Sequence, residues 1–143
     1  MTVKPEKILY TAHATSTGGR AGTSKSDDGV LDLRLTTPKG LGGDGATGTN
    51  PEQLFAAGYA ACFESALRLV ARMQKKALTS AAITAKVTLG KNDDEKYQLA
   101  VELVGTIEGL GKDEALSLMQ AAHTVCPYSN ATRGNIEVTL SVE

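Results

Sequence analysis

The sequence predicts an α+β fold with antiparallel sheets packed around a long central helix. Segments that alternate apolar and polar residues flank a single long apolar helical run. The order, two strands, long helix, two strands, helix, strand, lacks the regular strand-helix alternation of a wound parallel sheet. The closing segment Ile136-Glu137-Val138-Thr139-Leu140-Ser141-Val142 alternates without a break, as a half-buried strand does.

Taken in order, residues 8–15 read as a strand, and Val30 to Leu35 as a second with a two-residue period. Between them, the glycines of Gly18-Gly19-Arg20-Ala21-Gly22 display one arginine on a turn. A glycine-rich loop with Pro38 covers 36–49, and Asn50-Pro51-Glu52-Gln53 then signals a helix start: a capping residue, a proline for the first helical position, and a capping-box partner. The helix is expected to run to about Lys76, apolar nearly all round in its first half and so central to the fold. Residues 83–89 and 97–107 read as strands joined by the polar loop 90–96. A second helix fits 113–125, with Ala115, Leu116, Leu118, Met119 and Ala122 inward, and Pro127 ends it.

One domain over residues 1–143 is expected, long enough to bury a core without crosslinks. Fifteen basic residues against sixteen acidic give a net charge of -1, which provides no field for nucleic acid or an anionic membrane. Aromatic residues are 4% with no Trp, so base-stacking platforms are scarce as well. The apolar run from Leu54 to Phe63 is shorter than the roughly 20 residues of a membrane span. The residues before Ile8 lack an export-type apolar stretch, which makes a cytoplasmic location the expectation.

The chemistry concentrates in Cys62 and Cys126. Paired thiols in a reducing compartment are more often redox-active or metal-binding than structural. A thiol reacts as thiolate, and with its ordinary pKa it is only a few per cent ionised at neutral pH. Cys62 lies beyond the helix's first turn, where the positive helix end no longer acts, and apolar surroundings raise the pKa further. Reactivity there requires a cation. Arg20 is the best candidate, with Glu52 as a carboxylate that fixes the guanidinium and accepts a proton. The plainer alternative makes Cys62 a small core residue. Cys126, leaving a helix into Pro127-Tyr128-Ser129-Asn130, suits a resolving thiol that local unwinding brings to a Cys62 sulfenic acid. In the alternative it packs in a helix cap and never meets Cys62.

The stretches Gly18-Gly19-Arg20, Asn50-Pro51-Glu52-Gln53-Leu54-Phe55-Ala56-Ala57-Gly58-Tyr59-Ala60-Ala61-Cys62-Phe63 and Val125-Cys126-Pro127-Tyr128-Ser129-Asn130-Ala131-Thr132-Arg133 resemble the organic hydroperoxide resistance proteins of the osmotically inducible protein C family. The resemblance spans nearly the whole chain. It implies a thiol peroxidase acting on organic and fatty-acid hydroperoxides, with no bound cofactor and with a lipoyl-type dithiol, dihydrolipoamide or a lipoylated protein, as external reductant. By position it implies that Cys62 is the peroxidatic thiol, Cys126 the resolving one, and Arg20 with Glu52 the activating pair. Where the family often places an acidic residue after the arginine, this chain has Ala21.

Glu52 and Cys62 are ten residues apart on one helix, about 15 Å along its axis and about 80° around it. Contact within one chain is therefore not expected. The prediction is that each site borrows Glu52, with Arg20 as a second candidate, from a second subunit, which matches the intertwined homodimer the resemblance implies.

Rival readings are weaker. Gly40-Leu41-Gly42-Gly43-Asp44-Gly45 matches a dinucleotide fingerprint, but no parallel strand-helix-strand unit surrounds it. A zinc site from His13, Cys62, His123 and Cys126 lacks a second local ligand pair. A redox sensor or ligand-binding protein would oxidise Cys62 without turnover. Arg68, Arg72, Lys75 and Lys76 read as a solvated helix end, and Arg133 as a group that could steer an anionic substrate. Phe55, Tyr59 and Phe63 are either an apolar entrance favouring alkyl hydroperoxides or plain core.

Overall fold

In a computed structural model, which describes residues 2–143, the chain divides into two compact units, one ending at Pro51 and the other beginning at Glu52. In the first, β1 (Ala14–Thr17), β2 (Thr23–Ser26) and β3 (Asp32–Arg34) form an antiparallel meander. The expected strand over 8–15 starts only at Ala14, because Ala14 already pairs with Ser26, the last residue of β2. Ile8, Leu9 and Tyr10 are exposed. Val30 and Leu31 belong to the turn into β3 rather than to the strand, held by the Asp28 carboxylate and the Ser26 hydroxyl accepting their N–H groups.

Glycine is required between β1 and β2. Gly18 has φ 78°, and a Cβ on Gly22 would lie 1.7 Å from the Thr17 carbonyl oxygen. The resulting 3-10 turn, Gly19–Ala21, carries Arg20. The glycine-rich loop is closed at its neck, where the N–H groups of Thr36 and Thr49 donate to Thr49 O and Arg34 O, each at 2.9 Å.

The second unit is built on α1 (Pro51–Met73), which starts at the predicted proline. Its length would suffice for a bilayer. Yet Tyr59, Phe63, Ala66, Leu67, Val70 and Ala71 form one buried face within the protein's own core. The strands β4 (Ser80–Lys91) and β5 (Tyr97–Glu108) make the expected hairpin, in register from Ser80↔Glu108 to Lys91↔Tyr97. Then follow α2 (Lys112–Val125), a short α3 (Pro127–Thr132) and β6 (Val138–Val142).

The last strand pairs with β5 in parallel, from Val101↔Val138 to Gly105↔Val142. The reason is geometric: α2 carries the chain back toward the start of β5, so the next strand enters running the same way. One sheet face, with Val101, Leu103 and Ile107 flanked by Ile83, Ala85 and Leu140, packs against α1 and against Ala115, Leu118, Met119 and Ala122 of α2. Full burial of side chains such as Phe63, Leu67 and Leu118 stabilises by about 1.5–3 kcal/mol each. Gly105 leaves space in this layer for α2, since a Cβ there would lie 2.7 Å from Met119 Sδ.

Candidate active site

Pro127 ends α2, as expected, and in the same place opens α3 as its first residue. Cys126 is the single extended residue between the two helices, with φ -60° and ψ 125°. Its N–H donates to Ala122 O and its carbonyl accepts from Asn130 N–H, both at 2.9 Å. The backbone at Cys126 is therefore tied on both sides. Local unwinding is unnecessary, because the Sγ atoms of Cys126 and Cys62 already lie 3.6 Å apart. Both cysteines are unoxidised, Cys62 half-buried and Cys126 fully enclosed. A disulfide needs about 2.05 Å, which leaves roughly 1.5 Å to close. Of the two alternatives for Cys126, the structure excludes the one in which it never meets Cys62.

Burial pushes the Cys62 thiol up from its ordinary value, and the adjacent Cys126 adds to the rise. The backbone N–H of Tyr128, near the start of α3, acts in the other direction as a hydrogen-bond donor to Cys62. No side-chain motif announces that donor, so the sequence reading missed it. Its one visible signal was Pro127, which fits the first position of a helix and leaves the following N–H groups without intrahelical acceptors.

Glu52 is half-buried in the first turn of α1, ten residues before Cys62 on the same helix. One continuous helix, α1, runs through both, which puts them about 15 Å apart along its axis. Arg20 lies in the first unit, half-buried, with one terminal guanidinium nitrogen shielded from solvent. Both side chains belong to residues engaged with neighbours.

Tyr59 and Phe63 are fully buried core residues rather than an entrance. Phe55 stays partly exposed, and Tyr128 joins it, with ring centroids 6.3 Å apart. Tyr128 lies over Gly58, where a Cβ would come within 3.1 Å of the Tyr128 hydroxyl oxygen. That close approach accounts for a glycine inside α1.

Around the thiols runs a polar network. The Tyr59 hydroxyl contacts Ser129 Oγ at 2.8 Å and Thr132 Oγ1 at 3.2 Å, and His123 Nδ1 contacts Ser129 Oγ at 2.7 Å. Burial and, secondarily, the Arg133 guanidinium hold His123 below its ordinary pKa. Arg133 itself donates to the His123 carbonyl at 2.5 Å and to Asn130 Oδ1 at 2.9 Å. His13 sits in the first unit beside Asp27, and among the described residues no group of three His, Cys, Asp or Glu is placed to hold a metal ion.

The chain is similar to proteins already known. The OsmC-like protein family model matches residues 42–141. An organic hydroperoxide resistance protein of Xanthomonas axonopodis pv. citri is 53% identical over 139 residues, covering 96% of this chain and 97% of its own. The organic hydroperoxide resistance protein OhrB of Bacillus subtilis is 48% identical over 136 residues, covering 94% and 98%. Among solved structures, an organic hydroperoxide resistance protein of Legionella pneumophila superposes with a TM-score of 0.90 at 52% identity, over 96% of this chain and 99% of that one. With identity and fold matching over nearly the full length, the chain belongs to the OsmC-like protein family, among its organic hydroperoxide resistance proteins.

Proposed function

We propose that this protein is a thiol peroxidase that reduces organic hydroperoxides, fatty-acid hydroperoxides included, to alcohols. The observation that carries the reading is the pair of unoxidised thiols 3.6 Å apart, one half-exposed and one enclosed. The names of the relatives, organic hydroperoxide resistance proteins, support the substrate class.

In the first step the Cys62 thiolate attacks the distal peroxide oxygen. The O–O bond breaks, the alkoxide leaves and takes a proton, and Cys62 becomes a sulfenic acid. Cys126 then attacks that sulfur, forming the disulfide and releasing water. A dithiol of lipoyl type reduces the disulfide in two exchange steps and leaves as its own cyclic disulfide. Because Cys126 is enclosed, the incoming thiolate attacks Cys62 sulfur and Cys126 is the leaving thiolate.

The burial that raises the Cys62 pKa is why one amide N–H is insufficient and a cation is required; each pKa unit corresponds to about 1.4 kcal/mol. Arg20 is assigned that task and Glu52 is assigned to orient it and accept the proton. Since the helix separates Glu52 from Cys62 of one chain, the carboxylate comes from a second subunit. The outward face of α1 suits such a partner: Ala57, Ala61, Ser65, Leu69 and Met73 recur at one-turn spacing and are exposed. The active species is accordingly a homodimer working on an organic hydroperoxide, with no cofactor of its own.

The test measures dithiol-dependent turnover of an organic hydroperoxide and of hydrogen peroxide by the wild type, Cys62→Ser and Cys126→Ser. Cys62→Ser is expected to be inactive, and Cys126→Ser to be oxidised without efficient dithiol-supported cycling. Full turnover by Cys62→Ser would overturn the assignment, while wild-type oxidation without cycling would mark a sensor instead.

A further inference from the structure

We propose that His123, Ser129, Tyr59 and Thr132 form a one-directional hydrogen-bond chain that positions the thiol pair. The chain ties together α1, which carries Cys62, and the two helices α2 and α3 that flank Cys126. Tyr59 is on α1 three residues before Cys62, His123 is on α2 three residues before Cys126, and Ser129 and Thr132 are on α3 just after it. With only six residues, α3 cannot hold its own position, so its place against α1 must be set from outside.

Hydrogen counting fixes the direction. Four contacts need four hydrogens: His123 to Ser129, Ser129 to Tyr59, Tyr59 to Thr132, and Thr132 to the Ser129 carbonyl. The last contact takes the Thr132 hydroxyl hydrogen, since a carbonyl only accepts. Tyr59 must then donate to Thr132, Ser129 must donate to Tyr59, and His123 must donate through Nδ1 to Ser129. No other assignment serves all four. His123 is thus the outer head of the chain, half-exposed, while Ser129 and Tyr59 are wholly enclosed.

The pairing of His123 with Ser129 resembles a nucleophile and its base, but an enclosed Ser129 reaches no substrate. What the chain can do is hold. With Ser129 pinned to α1 and α2, the neighbouring Tyr128 N–H remains on Cys62 and the Cys126 side chain remains within reach of it. These four are positioning residues, acting through the Tyr128 amide and the hinge at Cys126.

The inference rests on the thiol-pair reading, so its test uses no peroxide. In a Cys126→Ser background, iodoacetamide alkylation of Cys62 is followed against pH for otherwise unchanged protein and for Tyr59→Phe, His123→Phe and His123→Asn. In the two-cysteine protein, closure of the disulfide is timed after one equivalent of diamide, whose N=N bond takes up both electrons and both protons to give the hydrazine. Tyr59→Phe and His123→Phe are expected to move the alkylation midpoint upward and to slow closure about tenfold, the factor that one or two lost hydrogen bonds represent. His123→Asn, which keeps a donor near the Nδ1 position, is expected to restore both. Should Tyr59→Phe fail to fold, Thr132→Val removes the last link with the core ring in place and is read the same way. Folded variants with unchanged midpoint and closure rate would overturn the proposal, and so would equal losses in His123→Asn and His123→Phe. Absence of hydroperoxide turnover in wild type would instead sink the peroxidase reading and leave these two readouts standing.

Discussion

Replacing Gly105 tests how closely α2 is seated on the sheet. A Cβ at this position would lie 2.7 Å from Met119 Sδ and 3.3 Å from both Met119 Cε and Ile107 Cδ1, where ordinary contact begins near 3.4 Å. Met119 is completely enclosed and has no solvent to turn into, so Gly105→Ala must displace either its sulfur or α2 by roughly 0.7 Å or more. Overpacking of this kind costs about 1–3 kcal/mol, offset by about 0.5–1 kcal/mol from removing a glycine inside a strand. A net loss of about 1–2 kcal/mol is expected. Met119→Ala alone should cost about 2–5 kcal/mol by opening a cavity. In the double variant the new methyl enters that cavity, so the combined loss should fall short of the sum by about 1 kcal/mol or more. Urea denaturation measures this, with the slope checked for constancy. Additivity within about 0.5 kcal/mol would refute the steric argument. Because α2 leads directly into Cys126, Gly105→Ala should slow diamide-driven disulfide closure, and Met119→Ala in the same chain should restore it.

Cys126→Ser should convert a reversible cycle into damage: under excess organic hydroperoxide, mass spectrometry should find Cys62 with two and then three added oxygens, while wild type stops at the disulfide. In oxidised wild type treated with glutathione, peptide mapping should place the mixed disulfide on Cys62, because Cys126 is enclosed; mapping to Cys126 would contradict the order of attack. The lowered pKa of His123 has a definite sign for stability. The unfolded chain takes up a proton near pH 6.5 that the folded protein resists, so the stability present above that value is lost as pH falls through the folded value. The drop in urea midpoint between about pH 7.5 and pH 5.5 should therefore be smaller in His123→Asn, and an unchanged drop would assign it to other groups.

Long periodic segments were legible in the sequence. Pro51 marks the start of α1, and Tyr59, Phe63, Ala66, Leu67, Val70 and Ala71 follow the helical period that separates core from surface. That same period puts Phe55 on one face with Tyr59 and Phe63, so only the fold separates Phe55 at the edge from the two in the core. Pairing direction was not legible, because alternation in residues 136–142 is the same for a parallel or an antiparallel partner. The helix α3 was hidden by the double meaning of Pro127, which stops one helix and starts another. At the site, residue type pointed to Cys62 and Cys126, but only the fold could show 3.6 Å between sulfurs 64 positions apart in the chain. The Tyr128 amide escaped notice because every residue except proline has one.

The parallel pairing of β5 with β6 bears on when the thiol pair comes into being. The connection between these strands contains α2, Cys126 and α3, so the ladder from Val101 to Gly105 cannot form until that whole segment has closed on itself. Pairings of this kind pay their entropy before any contact rewards it and are slow to form. The hairpin of β4 and β5, joined by a short loop, has no such delay. The expected order is that the hairpin precedes closure of the segment carrying Cys126. A chain with only the hairpin formed should then hold two separate cysteines instead of a redox couple, which pulsed alkylation during refolding would check.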